Sequence, residues 1–290
     1  MDIINENDLQ IDENDKKCAP NIKFENGSCI PLYIIINMAE AHNIENKNKQ
    51  IKLYRNMDII NPAKYKLYIL HEFYKLYPMG QTEWLKQSFN KFMDKHIKEL
   101  LDNNIFRPDG PNGRFTWLDT NNVVDTMTQY EMKYKDFKYM GTVPIDFFEF
   151  DEFEINKFDY DSYIKKGIYK FGIIFNLDKH NQAGSHWVAM YSDLKSGKIY
   201  FYDSYGTRPP VEIKKLMEIH AKYYMDKLNS KNKLPDIRYN QIRAQYKGSE
   251  CGVYSINFIL RLLRGDSFNS ICADKTSDDK INKCRKIYYK

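Results

Sequence analysis

The sequence predicts an α+β fold, in which strands and helices build one domain after a helical N-terminal region. Three observations favour this fold class. Apolar residues recur at helical spacing through the first hundred residues, two β-prone segments flank a polar turn, and an apolar helical stripe follows Cys251. With 290 residues, of which 42% are hydrophobic, the chain can bury one such domain and a smaller appendage.

The first 106 residues divide into a polar segment and a helical arm. Residues 1–25 are acidic, rich in asparagine and low in apolar residues, and this composition predicts a mobile N-terminus. Residues 26–106 carry apolar residues at helical spacing, which predicts a helical arm region. Helices are expected over residues 30–42, 62–76 and 82–101.

A dense cluster of turn residues predicts the boundary of the main domain. Residues 107–113 consist mostly of proline, glycine, aspartate and asparagine, a composition typical of a loop. Residues 114–290 then form the main domain. It is expected to begin with a helix near 121–135, and a further helix follows Pro210.

Two strands of the main domain are expected to form an antiparallel hairpin. The alternating residues 185–191 and the β-prone residues 198–206 flank a short polar turn. His186 lies near the start of the first strand and Asp203 near the end of the second, so the hairpin places them side by side. A carboxylate next to an imidazole fixes the tautomer of a catalytic base.

Cys251 is the candidate nucleophile. It follows a polar turn with Gly248 and Ser249 and precedes the apolar stripe, which places it in the first turn of a buried helix. A helix N-terminus carries partial positive charge and unpaired N–H groups, and both stabilise a thiolate. Such a cysteine is either a nucleophile or a well-packed small hydrophobic residue, and the hairpin with His186 and Asp203 favours the nucleophile.

The order of these residues resembles that of a known family. His-Trp is followed by Tyr-Asp-Ser, and then by Gln245 and Ser-Glu-Cys-Gly-Val around Cys251. Asp203 lies 17 residues after His186, and Gln245 lies six residues before Cys251. This pattern resembles the ubiquitin-like-protein-specific and adenain-type cysteine proteases of clan CE. The resemblance implies a papain-like/adenain-like protease core, a mixed sheet with flanking helices, and an oxyanion-hole role for Gln245.

Three further segments narrow the resemblance. Residues 141–146, 202–210 and 249–257 are most similar to the core-protein-processing thiol proteases of large DNA viruses that replicate in the cytoplasm. The resemblance implies a thiol endopeptidase that processes viral structural polyproteins during virion maturation. It also implies that the enzyme acts in the virion and the host cytoplasm and uses no cofactor.

The resemblance also implies a substrate specificity. In the deconjugases, two tryptophans close over the substrate backbone as a tunnel that admits only glycine. Trp187, which follows the histidine, and Trp117, in a Trp-Leu pair, occupy these positions. A Gly-Gly-like pair before the scissile bond is therefore expected, selected by exclusion of larger side chains. Two core tryptophans are the alternative, and no recognition role passes to Asp119, where the deconjugase pattern differs.

Other residues of the same chemical types compete for these roles. His180 lies in an expected loop and Asp193 in the hairpin turn, so neither has the required placement. Cys272 and Cys284 follow the Cys251 helix in polar surroundings and are interpreted as incidental thiols. The remaining histidines are interpreted as surface or boundary residues: His42, His71, His96 and His220.

Cysteine spacing and charge bound the partners. The five cysteines include no C-x-x-C pair, so the sequence supports neither a disulfide framework nor a zinc site, and a reducing compartment is expected. The net charge of +5 is spread over lysines mixed with acids, which favours a solvated surface; nucleic acid as an activator is the alternative. No apolar stretch is long enough to span a bilayer, so no membrane partner is expected.

Three function classes remain. The first is the polyprotein-processing endopeptidase, whose partner is a protein with a Gly-Gly-like site. The second is a deconjugase that removes a SUMO-type modifier from host proteins. The third is a catalytically idle module that grips Gly-Gly tails. The combination of Cys251, His186, Asp203 and Gln245 argues against the third, because a binding module needs no nucleophile with its base and oxyanion donor.

Overall fold

The structure is a computed structural model that describes residues 5–111, 113, 115–153, 155–228 and 233–290. The chain divides into two compact units, an N-terminal unit of Met1–Pro108 with Lys290 and a C-terminal unit of Asp109–Tyr289. The division falls inside the turn cluster at 107–113. Within the described residues, no helix combines the length and the apolar character needed to cross a membrane.

The N-terminal unit is helical. Pro62 begins its longest helix, where a missing N–H costs nothing, and the Asn61 side chain caps that helix by accepting a hydrogen bond from the Lys64 N–H. Its core is built mainly from apolar residues of the first and third helices. The helices are α1 (Leu32–Glu45), α2 (Met57–Ile60), α3 (Pro62–Leu76), α4 (Gln81–Trp84) and α5 (Lys95–Asn104).

The single helix expected over residues 82–101 is wrong. The structure has α4, a 3₁₀ turn over Ser88–Phe92 and then α5. The Asn90 amide donates hydrogen bonds to the carbonyls of Trp84 and Leu85, and these bonds take the place of the helical ladder. Asp94 then caps α5 by accepting a hydrogen bond from the Ile97 N–H, so a new helix starts there.

The N-terminal segment is packed, which differs from the mobile segment expected over residues 1–25. Leu9 and Ala19 are buried in the N-terminal unit. The carboxylate of Asp15 is also buried and accepts a hydrogen bond from the Tyr74 hydroxyl at 2.9 Å. A few well-placed contacts therefore hold a segment whose average composition is polar. Residues 1–4 lie outside the described residues.

A disulfide joins Cys18 and Cys29, which corrects the expectation that the sequence supports no disulfide. The two cysteines meet because the chain between them reverses direction at Asn26 and Gly27, both of which have positive φ. Cysteine spacing alone does not reveal this reversal. The bond closes a short local loop and is separate from the three free cysteines of the C-terminal unit.

The C-terminal unit is built on a mixed sheet. Its strands are β1 (Phe137–Pro144), β2 (Lys170–Asn176), β3 (Trp187–Asp193), β4 (Lys198–Tyr202) and β5 (Asp236–Tyr239). They lie in chain order across the sheet; β2–β3 and β3–β4 are antiparallel, whereas β1–β2 and β4–β5 are parallel. The helices are α6 (Thr120–Lys133), α7 (Tyr160–Lys165), α8 (Val211–Tyr223), α9 (Cys251–Arg264), α10 (Phe268–Ala273), α11 (Asp278–Asn282) and α12 (Arg285–Tyr288).

Both faces of the sheet are covered. Along β3, Trp187 and Tyr191 pack with α6 and α9, whereas Val188 and Met190 pack with α8. This alternation follows from the period of two in a strand. The antiparallel hairpin of β3 and β4 and the helix beginning at Cys251 agree with the expectations from sequence.

Two histidines interpreted as surface or boundary residues are buried. His220 on α8 lies between the Tyr160 hydroxyl at 2.8 Å and the Ser192 hydroxyl at 2.7 Å. His42 on α1 contacts the Tyr77 hydroxyl at 2.9 Å. Each ring is buried because hydrogen-bond partners replace water, and a sequence pattern does not show those partners.

Candidate active site

The ends of two strands and the start of one helix bring a histidine, an acid and a cysteine to one place. His186 directly precedes β3 and Asp203 directly follows β4. Because Ala189 pairs with Tyr202 in the antiparallel register, His186 and Asp203 meet at the same end of these two strands. Cys251 is the first residue of α9, which shares a core with β3.

The ring of His186 is held by a buried carboxylate. Its Nε2 lies 2.6 Å from Oδ1 of Asp203, which is 1% exposed. The Tyr205 N–H donates to the same oxygen at 2.9 Å, and the Thr207 hydroxyl donates to the other oxygen. Burial raises the pKa of Asp203, but hydrogen bonds from His186 and Thr207 outweigh it and leave the pKa below its ordinary value. The carboxylate is therefore ionised at neutral pH.

The other ring nitrogen of His186 remains for the thiol. Burial lowers the pKa of His186, but hydrogen bonds to Asp203 and to the Cys251 sulfur, with the negative charges of both, raise it to about 9. The imidazole therefore keeps its proton at neutral pH. A protonated imidazole at a helix N-terminus favours a thiolate, the form of cysteine that attacks carbonyl carbon.

Gln245 is fully buried, and both ends of its amide are held. Its Oε1 accepts a hydrogen bond from the Ser204 hydroxyl at 2.6 Å, and its Nε2 donates to the Lys247 carbonyl at 2.6 Å. The backbone N–H of Gln245 also donates to the Ser204 carbonyl at 3.0 Å. The second amide hydrogen can then serve an oxyanion, a role that stays a prediction.

The two tryptophans differ in burial. Trp187 is 5% exposed, and its indole N–H donates to the Leu118 carbonyl at 3.0 Å. The Leu118 side chain lies against Gly252, the second residue of α9, where an added Cβ would come within 3.1 Å. Trp117 is 49% exposed and is therefore not a core residue. The Trp-Leu pair is thus anchored to Trp187 and α9, and the tunnel role of both indoles stays a prediction.

Tyr205 is a site residue that the sequence did not reveal. Its ring stacks on His186 with a centroid distance of 4.3 Å and an angle of 2° between the planes. The Arg243 guanidinium lies 4.9 Å from the centre of the Tyr205 ring and donates through Nε to the Gln245 carbonyl at 2.7 Å. Gly206 permits the turn after Tyr205 to approach the backbone at Ile242 closely. Its φ is +75°, and a Cβ there would lie 2.9 Å from the Ile242 carbonyl carbon.

The C-terminal helices hold the turn before Cys251. Asp278, the first residue of α11, accepts hydrogen bonds from the N–H groups of Tyr246 and Lys247 at 2.9 and 3.0 Å. It also accepts a hydrogen bond from the Tyr254 hydroxyl of α9 at 3.3 Å. One carboxylate therefore joins α11, α9 and the loop that carries Gln245.

A buried polar network supports the last residues of the same turn. Glu250 is fully buried and accepts hydrogen bonds from the Ser249 hydroxyl and the Asn282 amide, each at 2.9 Å. Arg285 is also fully buried and donates to the Asn282 side chain at 2.7 Å and to the Ser249 carbonyl at 3.1 Å. The sequence does not reveal this network, because the Glu250–Asn282 and Ser249–Arg285 contacts join positions 32 and 36 residues apart.

The rival residues are engaged elsewhere. Nδ1 of His180 lies 2.8 Å from the Asp146 carboxylate. Asp193 accepts hydrogen bonds from the turn between β3 and β4. Burial raises the pKa of Cys272 to about 11 and also raises the pKa of Cys284, so both thiols stay protonated. In the part of the chain that the structure describes, no three His, Cys, Asp or Glu side chains are grouped to hold a metal ion.

Comparisons with known proteins agree with this architecture. Residues 83–289 match the Ulp1 protease family, C-terminal catalytic domain. A protein of Acanthamoeba polyphaga mimivirus that is named as a thiol protease is 34% identical over 277 residues, which cover 92% of this chain and 90% of that protein. A SUMO-1 cysteine protease of African swine fever virus is 25% identical over 194 residues, covering 62% of this chain and 70% of that protein.

The fold is shared with a solved viral structure. The crystal structure of a protease of African swine fever virus aligns with a TM-score of 0.65 at 19% identity, covering 97% of this chain and 98% of that chain. The mixed sheet with flanking helices and the helical N-terminal region confirm the fold class expected from sequence. The family match over most of the chain and the similarity to viral thiol proteases show that the chain belongs to the Ulp1 protease family and is a cysteine peptidase.

Proposed function

We propose that the protein is a thiol endopeptidase that cleaves after Gly-Gly-like sites and processes viral structural polyproteins during virion maturation. It acts in the virion and the host cytoplasm on protein substrates. The observation that carries the specificity is the fixed indole of Trp187, buried next to His186 and held by the Leu118 carbonyl. An indole that cannot move aside leaves room for a backbone without side chains, so glycine is selected by exclusion.

The chemistry of the proposal is acyl transfer. The Cys251 thiolate attacks the scissile carbonyl carbon, and its oxygen becomes an oxyanion that accepts hydrogen bonds from Gln245 and from the Cys251 N–H. The protonated His186 then gives its proton to the leaving amine as the C–N bond breaks. The neutral ring next takes a proton from water, which attacks the thioester and frees the thiolate. Asp203 stays ionised throughout and orients the ring.

Two observations favour different substrates. The mimivirus relative spans 92% of this chain, including the helical arm, and this supports a viral processing enzyme. The African swine fever virus relative is named a SUMO-1 cysteine protease, and this supports deconjugation of SUMO-type modifiers as the second candidate function. Both candidates use the same four catalytic residues, so the size of the required substrate discriminates between them.

Two covalent probes test the proposal. The first is a short peptide that ends in Gly-Gly with a vinyl sulfone, and the second is full-length SUMO with the same group. Mass spectrometry locates the adduct after incubation with reductant. We expect Cys251 to react with the peptide, and the Cys251→Ala variant to form no adduct. Cys272→Ala is the matched control and should react like the unchanged protein. Reaction with the SUMO probe alone would favour the deconjugase, and no reaction with either would contradict both candidates.

A further inference from the structure

A cavity of about 290 Å³ lies beside Trp187 and is not used by the proposed chemistry. We call it the Trp187 pocket. Its apolar walls come from the end of β1 and from two aromatic residues, and its polar rim comes from the loop between β2 and β3. The residues that matter here are Val143, Pro144, Phe153, Trp187, Lys179 and His180.

The loop that forms the rim is held from within. Oδ1 of Asn176 accepts hydrogen bonds from the N–H groups of Asp178 and Ser185 at 3.0 and 3.3 Å. The Asp178 carboxylate accepts a hydrogen bond from the Ser185 hydroxyl at 2.7 Å. Gly184 has a φ of +89°, and a Cβ there would lie 2.5 Å from the Asn176 amide nitrogen. These contacts give the rim a defined conformation. The hydrogen bond from Ser185 also occupies one oxygen of the Asp178 carboxylate, which lines the pocket.

A buried acid fixes His180 at the rim. Asp146, 5% exposed, accepts a hydrogen bond from the His180 N–H at 3.0 Å and contacts its Nδ1 at 2.8 Å. The ring also packs edge-on against Phe150, with 4.5 Å between the centroids. The His180 side chain nevertheless remains 47% exposed. Asp146 therefore holds an imidazole at the rim, and its Nε2 has no partner among the described residues.

Lys179 adds a cation to the same rim. Its side chain is exposed, and its ammonium group forms no ion pair with any residue that the structure describes. The rim thus offers an unpaired ammonium above apolar walls. A side chain with methylene groups and a terminal carboxylate matches both features, since its stem contacts the apolar walls and its head accepts a charge-assisted hydrogen bond from the Lys179 ammonium.

We propose that the Trp187 pocket binds an acidic side chain of the substrate, at a position upstream of the Gly-Gly-like pair. This inference rests on the proposed function, because Trp187 is a wall of both the pocket and the expected glycine tunnel. The acyl half of the substrate stays on Cys251 after cleavage and is the half that threads past Trp187. The residue that reaches the pocket therefore precedes the scissile bond.

Cleavage of charge-varied peptides is the first test. Fluorogenic peptides that end in Gly-Gly-aminocoumarin carry either Glu or Lys in one of the three positions before the glycines. We expect kcat/KM to favour Glu over Lys at one position by at least about tenfold, the size of a charge-assisted hydrogen bond. Lys179→Glu should reverse this preference and Lys179→Gln should remove it. Lys195→Glu, in the exposed turn between β3 and β4, is the matched charge control and should leave the preference unchanged.

Binding to an inactive variant separates the two proposals. The same Glu and Lys peptides are titrated into Cys251→Ala by calorimetry, and the Lys179→Glu change is added to that variant. Cleavage without charge preference, or with a preference that Lys179→Glu leaves unchanged, would overturn the pocket and keep the Gly-Gly specificity. The third outcome is tighter binding of the Glu peptide, reversed by Lys179→Glu, while the protein with Cys251 intact cleaves neither peptide. This outcome would support the pocket and refute the Gly-Gly specificity. No cleavage and no binding would overturn both.

Discussion

At the scale of single residues, the imidazole of His186 is under three separate influences. Asp203 contributes a negative charge at 2.6 Å, Cys251 a polarisable sulfur on the other side, and Tyr205 an aromatic face at 4.3 Å. Burial acts against the charged ring, yet the pKa of His186 rises to about 9 because the charge interactions outweigh it. Removing one influence at a time should therefore shift the pH range of activity in a known direction.

The Asp203→Asn variant should lose activity mainly at high pH. Without the carboxylate, the pKa of His186 moves from about 9 toward its ordinary value of 6.5, because the largest interaction that favours the proton is gone. The protonated ring needed for the thiolate pair then disappears at lower pH. The measurement is kcat/KM from about pH 5 to 10, and the alkaline limb of this profile should shift to lower pH. An unchanged limb would show that the carboxylate does not set the protonation of His186.

Tyr205 should act as a positioning residue. A stacked aromatic pair contributes about 0.5–1.5 kcal/mol, so Tyr205→Leu should lower kcat/KM by about 2- to 10-fold. Tyr205→Phe keeps the ring and should restore most of the activity. The pH profile gives a second readout, since loss of the ring face should also lower the alkaline limb. Equal losses in both variants would instead assign the effect to the hydroxyl.

Residue order in the sequence predicts which candidate site residues meet, and the structure shows why it predicts little more. The sequence could pair His186 with Asp203 because the short turn of a hairpin fixes its register and so places the two outer strand ends side by side. The sequence could not place the Tyr205 ring on His186, because this stacking depends on the turn that Gly206 allows. The Asp146 partner of His180 lies 34 residues away, so the sequence showed the histidine and not its carboxylate.

At the scale of elements, the turn before Cys251 depends on two short C-terminal helices. Asp278 of α11 and Arg285 of α12 each bind backbone atoms of this turn, so the helices fix a loop that has no regular structure of its own. The orientation of Gln245 and the start of α9 follow from these contacts. Sequence patterns describe these helices as mainly polar, since Asp278, Asn282 and Arg285 share their buried faces with only Ile281 and Tyr288.

The Arg285→Met variant should destabilise the C-terminal unit. Methionine fills the space, but the buried Asn282 side chain and the Ser249 carbonyl each lose a donor. We expect a loss of about 2–6 kcal/mol in the free energy of unfolding, since each buried group left without its partner costs about 1–3 kcal/mol. Urea denaturation measures it, with the exposed Arg264→Met as control, for which a change within about 0.5 kcal/mol is expected. Equal losses in the two variants would show that the network contributes little.

The buried His220 of α8 should make the stability of the protein sensitive to acid. Burial lowers the pKa of His220 to about 3 from its ordinary value of 6.5, so the unfolded chain binds a proton that the folded chain excludes. This contribution is complete above pH 6.5 and is lost as the pH falls, by about 1.4 kcal/mol per pH unit down to about 3. His220→Gln keeps a polar side chain and should reduce the slope by that amount in urea denaturation at several pH values. An equal slope in both proteins would refute it.

The broken helix at residues 82–101 shows where periodicity misleads. Its apolar residues recur at helical spacing in a way that a continuous helix would satisfy, and the spacing alone predicts one. Asn90 and Asp94 decide otherwise by bonding to backbone groups. Both residue types compete with the helical ladder, so their presence within a periodic stretch was the available signal.

At the scale of the whole molecule, the chain has separate cores in its two units. Turn composition at residues 107–113 predicts this organisation, because proline and glycine concentrate where few contacts cross. The packing of residues 5–25 and the Cys18–Cys29 bond are not predictable in the same way. They depend on a few long-range contacts within the N-terminal unit, and average polarity does not report them.

Removing the Cys18–Cys29 bond should affect the N-terminal unit alone. A loop of this length contributes about 3 kcal/mol by restricting the unfolded chain, so the Cys18→Ser/Cys29→Ser double variant should unfold at lower urea concentration. Tryptophan fluorescence follows the change, since Trp84 is buried in this unit. The rate at which Cys251 reacts with the peptide probe should not change. A slower reaction would show that the arm influences the active site.

The burial of Cys251 has a practical consequence for thiol chemistry. Only 1% of its surface is exposed, whereas Cys272 and Cys284 are half-buried. Reagents therefore distinguish these cysteines by width as well as by reactivity. A slender alkylating agent should modify Cys251 and stop cleavage, whereas Cys272 and Cys284 stay protonated and should react slowly with small and bulky reagents alike. A count of reactive thiols made with a bulky dye at neutral pH should therefore come out low and should miss Cys251, the candidate nucleophile.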